Sequence, residues 1–218
     1  MPETAPAVST VGERLREARQ ERGVGLRALA RDVGVSASLI SQIETGKSQP
    51  SVSTLYAITS ALGISVEYVF EARGAEPAPD PADRAAADPS PPASLLDVLG
   101  SARGRRVGPL VRPGDRQVLA LDSGVTWERL GHLPDTHVDF LLITYEPGGS
   151  SSSSGLPMRH SGSEYGYVLS GELVLTLGFD EHRLRPGDSV CFSSTRPHRY
   201  RNEGSAPAVG VWFVVEPS

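Results

Sequence analysis

Between Ser9 and Phe70 the apolar residues recur at helical spacing, and the breaks between the stripes predict a set of short helices. Val11, Leu15, Ala18 and Arg22 share one face of a first helix, which Thr10 and Glu13 open at capping-box spacing and Gly23 and Gly25 break. Leu26, Leu29, Ala30 and Val33 form the stripe of a second, closed by Gly34. Ser36 is a natural N-cap for a third, with Leu39, Ile40 and Ile43 turned inward and Gly46 beyond its end. After Pro50, Ser53 is expected to cap a fourth helix carrying Leu55, Ile58 and Leu62, and Ser65 opens a short fifth. The pattern is that of a five-helix bundle.

The period then disappears. Residues 74–93 read GAEPAPDPADRAAADPSPPA, a stretch rich in proline with almost nothing large and apolar, so no core can form there. Such a composition predicts an extended, semi-stiff linker. From about Arg105 the apolar positions alternate, with β-rich runs at Val125–Leu130, Val138–Tyr145, Tyr165–Leu169, Glu172–Leu177, Ser189–Phe192 and Ala208–Val215. Many short strands separated by Gly and Pro turns predict an antiparallel sandwich or small barrel. The serine run Ser150–Ser154 reads as a mobile loop at its mouth. The chain thus divides into a helical domain (9–72), a Pro/Ala-rich linker (73–104) and a β domain (105–216): a multi-domain, α plus β protein.

Composition narrows this picture only a little. The chain has 218 residues, 39% hydrophobic and 22% charged, with a net charge of -5. That balance argues against indiscriminate nucleic-acid binding but not against a specific interface, whose electrostatic footprint is local. Cys191 is the only cysteine, so an intramolecular disulfide and a cysteine-based zinc site are both excluded. With no signal-peptide pattern at Met1–Thr10 and no apolar run near the length of a membrane span, a cytoplasmic protein is expected.

The second and third helices carry a more specific signal. Ala30 is small where two helices would cross, Gly34 follows four residues later where a turn favours positive φ, and Ile40 and Ile43 anchor the next helix. The unit closes with Ile43-Glu44-Thr45-Gly46-Lys47 and Pro50. This combination resembles the phage-repressor-like (Cro/C1, or XRE) helix-turn-helix family over roughly Val11 to Phe70. The resemblance implies that the start of the third helix enters the major groove of double-stranded DNA, with Ala37, Ser38 and Gln42 toward base edges and Ser36, Ser41 and Thr45 beside them. Gln42 would suit bidentate recognition of adenine. Arg27 and Lys47 would serve phosphates. Residues 1–73 hold eight Arg/Lys (14, 16, 19, 22, 27, 31, 47, 73) and eight Asp/Glu (3, 13, 17, 21, 32, 44, 67, 71), so this segment is neutral. Modest affinity as a monomer and binding as a homodimer to a palindromic operator are expected.

Two segments of the β domain resemble the motifs of cupins, the jelly-roll β-barrels. One runs from Met158-Arg159-His160 through Glu164 to Gly171-Glu172; the other contains Pro186-Gly187-Asp188, Pro197-His198 and Asn202. In cupins the first motif supplies two His and one Glu and the second a third His. Here His160, Glu164 and His198 fall on three of those positions and Met158 on the fourth. The resemblance implies a 2-His-1-carboxylate set for a divalent metal (Fe, Zn, Ni or Mn). Alternatively Met158, His160, Glu164 and His198 contact an organic effector directly.

The two domains in this order resemble helix-turn-helix regulators with a C-terminal cupin domain, which implies a transcription regulator, not an enzyme, that senses a small molecule. The same order and the His-x-x-x-Glu and distal His pattern also resemble the iron-dependent hydroxypropylphosphonate epoxidase. A mononuclear non-haem iron oxygenase is therefore the alternative reading. Lys47 is the only lysine, so an anionic substrate would depend on arginines.

Overall fold

A computed structural model of the chain describes residues 10–70, 110–133 and 137–216. The Pro/Ala-rich stretch predicted as a linker lies outside them, as do residues 105–109. Among the described residues no helix is long and apolar enough to cross a membrane.

Among the described residues the N-terminal bundle has four α-helices: α1 Val11–Glu21, α2 Leu26–Val33, α3 Ala37–Glu44 and α4 Val52–Leu62. The predicted fifth is a single 3-10 turn at Val66–Val69. Local chemistry sets the ends. Thr10 and Glu13 exchange the two bonds of a capping box at 3.3 and 2.8 Å. Ser36 Oγ accepts the Leu39 amide at 3.1 Å. Gly34 ends α2 at φ 76°, a conformation that a side chain would strain.

One boundary differs from the expectation. Ser51, not Ser53, caps α4, accepting the Thr54 amide at 3.2 Å. The first residue after Pro50 that can offer a side-chain oxygen takes the role, so the helix starts two residues earlier. Ser53 then lies in the first turn, where its amide has no intrahelical partner. That amide donates to the Ser151 carbonyl of the β domain at 2.9 Å.

Leu15, Ala18, Leu29, Ala30, Ile40 and Ile43 are buried together and form the centre of the bundle. Gly12 lets α1 and α3 approach closely, because a Cβ there would stand 1.9 Å from the Ile43 carbonyl oxygen. The bundle is tied further by Glu44, which is buried and accepts from Arg19 Nε at 2.6 Å and Nη2 at 2.8 Å.

The C-terminal half is an antiparallel barrel of two sheets. β1 Gln117–Leu121, β2 Val125–Gly131, β3 Val138–Tyr145, β4 Ser163–Ser170, β7 Ser189–Ser193 and β9 Ala208–Val215 form one, in the order β1-β2-β3-β9-β4-β7. β5 Leu173–Leu177, β6 Asp180–Leu184 and β8 His198–Arg201 form the other, in the order β6-β5-β8. β1, β6 and β8 escape the sequence pattern. β6 reads Asp-Glu-His-Arg-Leu with four exposed residues, and β8 reads His-Arg-Tyr-Arg, whose inward residues are a histidine and a tyrosine rather than aliphatics. Alternation along β2 and β3 places Val125, Trp127, Leu141, Ile143 and Tyr145 inside.

The first part of the serine run departs from its reading as a mobile loop: Ser150, Ser151 and Ser152 are buried, while Ser153 and Ser154 are exposed in a turn. The amide of Ser151 donates to the Tyr200 carbonyl, and the Tyr200 amide donates back to Ser151 Oγ, each at 3.0 Å. Small hydroxyl side chains suit a tight strip between barrel and bundle, because they satisfy backbone groups without needing volume.

Bundle and barrel meet along α4 and the turn after it. Asp122 N donates to the Pro50 carbonyl at 2.9 Å, and Gln117 Nε2 to the Phe70 carbonyl at 2.5 Å. Glu67 pairs with both Arg129 and His132 of the barrel.

Candidate functional sites

The outward face of α3 is the candidate recognition surface. With Ile40 and Ile43 held in the core and Ser36 at the cap, helix periodicity turns the opposite face of α3 outward. Ser36, Ser38 and Gln42 are exposed there, and Ala37 and Ser41 are half-buried. Lys47, just after the helix, and Arg27, on the first turn of α2, are exposed as well. Thr45 is turned back on its own helix, with its hydroxyl donating to the Ser41 carbonyl at 2.8 Å. The barrel packs on α4, and the outward face of α3 remains open beside it.

The second site lies inside the barrel. His160 sits at the bend before β4, Glu164 is the second residue of β4, and His198 opens β8. The three side chains each offer one ligand atom, all within 4.8 Å of one another. Glu164 Oε1 stands 2.9 Å from both His160 Nε2 and His198 Nε2. The other ring nitrogens are occupied: His160 Nδ1 faces the Ser161 carbonyl and His198 Nδ1 the Arg196 carbonyl, each at 2.9 Å.

A carbonyl oxygen only accepts, so both Nδ1 atoms carry hydrogens, and in the neutral rings both Nε2 atoms present lone pairs. His198 Nε2 is enclosed and lies off hydrogen-bonding geometry toward the carboxylate. Two lone pairs and a carboxylate oxygen converging at this range repel unless a cation, either a proton or a metal ion, lies among them. The donor set fits a divalent metal for that reason, and the carbonyls that fix each ring are the usual outer support of such ligands. Burial alone would push the Glu164 carboxyl up, but the two imidazoles outweigh it and hold it down at about 2. Burial pulls His198 down, and the neighbouring carboxylate outweighs that, so its net shift is upward.

The remaining oxygen of Glu164 is also held. Tyr200 donates its hydroxyl to Oε2 at 3.1 Å, and Trp212 Nε1 donates to that hydroxyl at 3.2 Å. Tyr200 was legible in principle, since alternation puts it on the same face of its strand as His198. Trp212 carried no such signal; it is buried inside the barrel, whereas Tyr165 and Tyr167 face outward. Met158 pairs with His198 through two backbone bonds at 2.8 and 2.9 Å and lines the same cavity as Glu164.

The sequence reading missed Tyr56 altogether. It belongs to α4 of the bundle, yet its ring stacks on His160 with centroids 4.0 Å apart and planes 5° apart. Tyr56 and Val52 close one side of a cavity of about 20 Å³ whose other walls include Trp127, Met158, Glu164 and Tyr200.

A two-helix corner with an open recognition face, joined to a cupin barrel, defines a DNA-binding module carried with a ligand-type domain. Comparison with known proteins agrees. The helix-turn-helix family model matches residues 15–69, and the cupin domain model matches residues 141–214. The HTH-type transcriptional regulator PuuR of Escherichia coli (strain K12) is 28% identical over 192 residues, 88% of this chain and 86% of that protein. SutR, an HTH-type transcriptional regulator of the same organism, is 26% identical over 87% of this chain and 85% of its own. A crystal structure of an HTH_3 family transcriptional regulator from Vibrio cholerae superimposes with a TM-score of 0.60 at 26% identity, over 95% of this chain and 96% of that one. The chain thus carries an XRE-type helix-turn-helix domain followed by a cupin domain, the arrangement found in the HTH-type transcriptional regulators it is similar to.

Proposed function

We propose that this regulator binds a palindromic operator as a homodimer in the cytoplasm and that its cupin domain senses a small molecule at His160, Glu164 and His198. The observation that supports the sensing role is the gathering of three enclosed lone-pair donors within 4.8 Å of one another, with Glu164 Oε1 2.9 Å from both imidazole Nε2 atoms, in a barrel whose neighbouring walls are apolar. When bound, a divalent cation would supply Lewis-acid affinity for one oxygen or nitrogen of the effector. His160 and His198 would hold it through Nε2, and Glu164 through Oε1. Tyr200 keeps the carboxylate in place, and Met158 contributes an apolar wall rather than a donor for a hard metal.

On the DNA side, Ala37, Ser38 and Gln42 would meet base edges, with Ser36 and Ser41 at the groove wall and Arg27 and Lys47 on phosphates. The outer face of the larger sheet supports a dimer. Tyr165, Tyr167, Leu169, Phe213 and Val215 are each between 36% and 50% exposed on adjacent strands β4 and β9. A contiguous apolar face of that kind marks an association surface. A second copy of the chain is its natural occupant, because a neutral DNA-binding domain gains the affinity it lacks by binding two half-sites.

The iron-oxygenase reading rests on the same three ligands. It is weakened by the cavity itself, whose described lining contains no Arg or Lys to pair with an anionic substrate. Elemental analysis of protein purified without a metal-binding tag, combined with operator titration before and after chelation, tests the proposal. Near-stoichiometric divalent metal and an operator affinity that changes on removing it are expected. Substoichiometric Fe, Zn, Ni and Mn would remove the metal and leave direct effector contact by the same residues. Oxygen consumption in turnover with Fe(II) and a substrate would favour the enzyme.

A further inference from the structure

We infer that Tyr56, from the DNA-binding domain, is a built-in plug of the cupin site, so that a ligand enters only when α4 leaves the barrel mouth. The inference rests on the reading that this site takes a small ligand. The free space beside Glu164 is about 20 Å³, enough for one water molecule or a bare ion. No metabolite fits. The volume that one would need is taken by a phenol ring lying flat on His160, one of the three candidate ligands, at 4.0 Å.

The ring is not a loose side chain. Tyr56 is 5% exposed and Val52, one turn before it, 2%. The start of the helix is tied to the barrel by Ser53 N to the Ser151 carbonyl and by Asp122 N to the Pro50 carbonyl, each at 2.9 Å. A ligand that takes the face of His160 therefore competes with the contact that seats α4, and α4 is packed against α2 of the helix-turn-helix. Ligand affinity and docking of the DNA-binding domain are then two sides of one equilibrium. Each opposes the other by the same factor.

The probe is p-cresol, which matches the tyrosine side chain in shape and polarity, titrated into the full-length chain and into Y56A. Truncating the tyrosine at its Cβ vacates a space of the probe's own shape, and a buried apolar cavity of that kind takes up small aromatics. Binding is measured by calorimetry, and seating of α4 by hydrogen exchange at amides 52–62. Y56A is expected to bind p-cresol at least about tenfold more tightly than the unaltered chain. In the unaltered chain, saturation with p-cresol is expected to raise exchange along α4.

A third variant, S53C/S151C on a C191S background, locks α4 to the barrel when oxidised. It is expected to lose p-cresol binding on oxidation and regain it on reduction, and it keeps the test decisive should Y56A not fold. Equal affinity for the unaltered chain and Y56A, or binding with no change in α4 exchange, overturns the plug while leaving the site intact. No binding to any variant overturns the small-ligand site, and the plug with it.

Discussion

Substituting Glu44 by alanine strips the bundle of its most enclosed charge pair. The carboxylate is 5% exposed and its partner Arg19 11%, and the two make a forked pair at 2.6 and 2.8 Å. In E44A the guanidinium keeps a single strong contact, Nη1 to the Val24 carbonyl at 2.9 Å. Breaking one side of a buried pair costs about 3–5 kcal/mol, because the remaining charge stays desolvated. A domain of this size holds only about 0.05–0.15 kcal/mol per residue, so the loss consumes most of its stability. Replacing both partners by apolar residues, as in R19M/E44L, is expected to cost far less, since no charge is left stranded. The assay is urea unfolding followed by far-UV circular dichroism, which reports mainly the helices, run as a double-mutant cycle on Arg19 and Glu44. Operator affinity measured in parallel should fall with the folded fraction, because Glu44 closes the recognition helix. A loss below about 1 kcal/mol in E44A, or strictly additive single and double variants, would refute the reasoning by showing a solvated pair.

Three further outcomes follow from other parts of the molecule. G12A forces a Cβ to within 1.9 Å of the Ile43 carbonyl oxygen, a backbone atom that cannot swing aside; about 3 kcal/mol of destabilisation is expected in the same unfolding assay. Asp139 is buried, and burial lifts its carboxyl to about 7 against the opposing pull of Arg129, with Glu216 and Glu67 adding to the rise. The folded state therefore holds that proton more tightly than the unfolded chain, so stability is greatest at or below the ordinary carboxylate range and falls as pH climbs from about 4 to 7, by about 4 kcal/mol in total. D139N should flatten that slope and be the more stable chain above pH 7 in thermal melts at a series of pH values; an unchanged slope would contradict the assignment. Q42A should weaken operator binding by about 1–3 kcal/mol and relax selectivity at one A·T position, whereas K47A should weaken all sequences alike and lower the salt dependence. Gel shifts against a randomised half-site separate the two patterns.

The helices of the DNA-binding domain were legible because their information is local. Thr10, Ser36 and Gly34 act on backbone within four residues of themselves, and the stripes of Leu15, Ile40 and Ile43 need only helical periodicity to find one core. The strands built on β-branched runs were visible for the same reason. β6 and β8 were not, since an exposed edge-strand and a strand whose inner face is His198 and Tyr200 carry no apolar alternation. His160, Glu164 and His198 could be named from their resemblance to the cupin motifs.

What the chain alone could not disclose is how those three meet and what stands against them. The geometry of Nε2, Nε2 and Oε1 depends on two carbonyls, at Ser161 and Arg196, that hold the rings from behind. The stacking of Tyr56 on His160 joins residues more than a hundred positions apart and in different domains. The first part of the serine run changed from supposed loop tip to buried strip for a similar reason: its partners are Tyr200 and Ser53, from the barrel and from the bundle. Caps, turns and stripes are decided by neighbours along the chain, so sequence determines them; the contents of a shared cavity are decided by which surfaces exclude water together, and only the packed structure settles that.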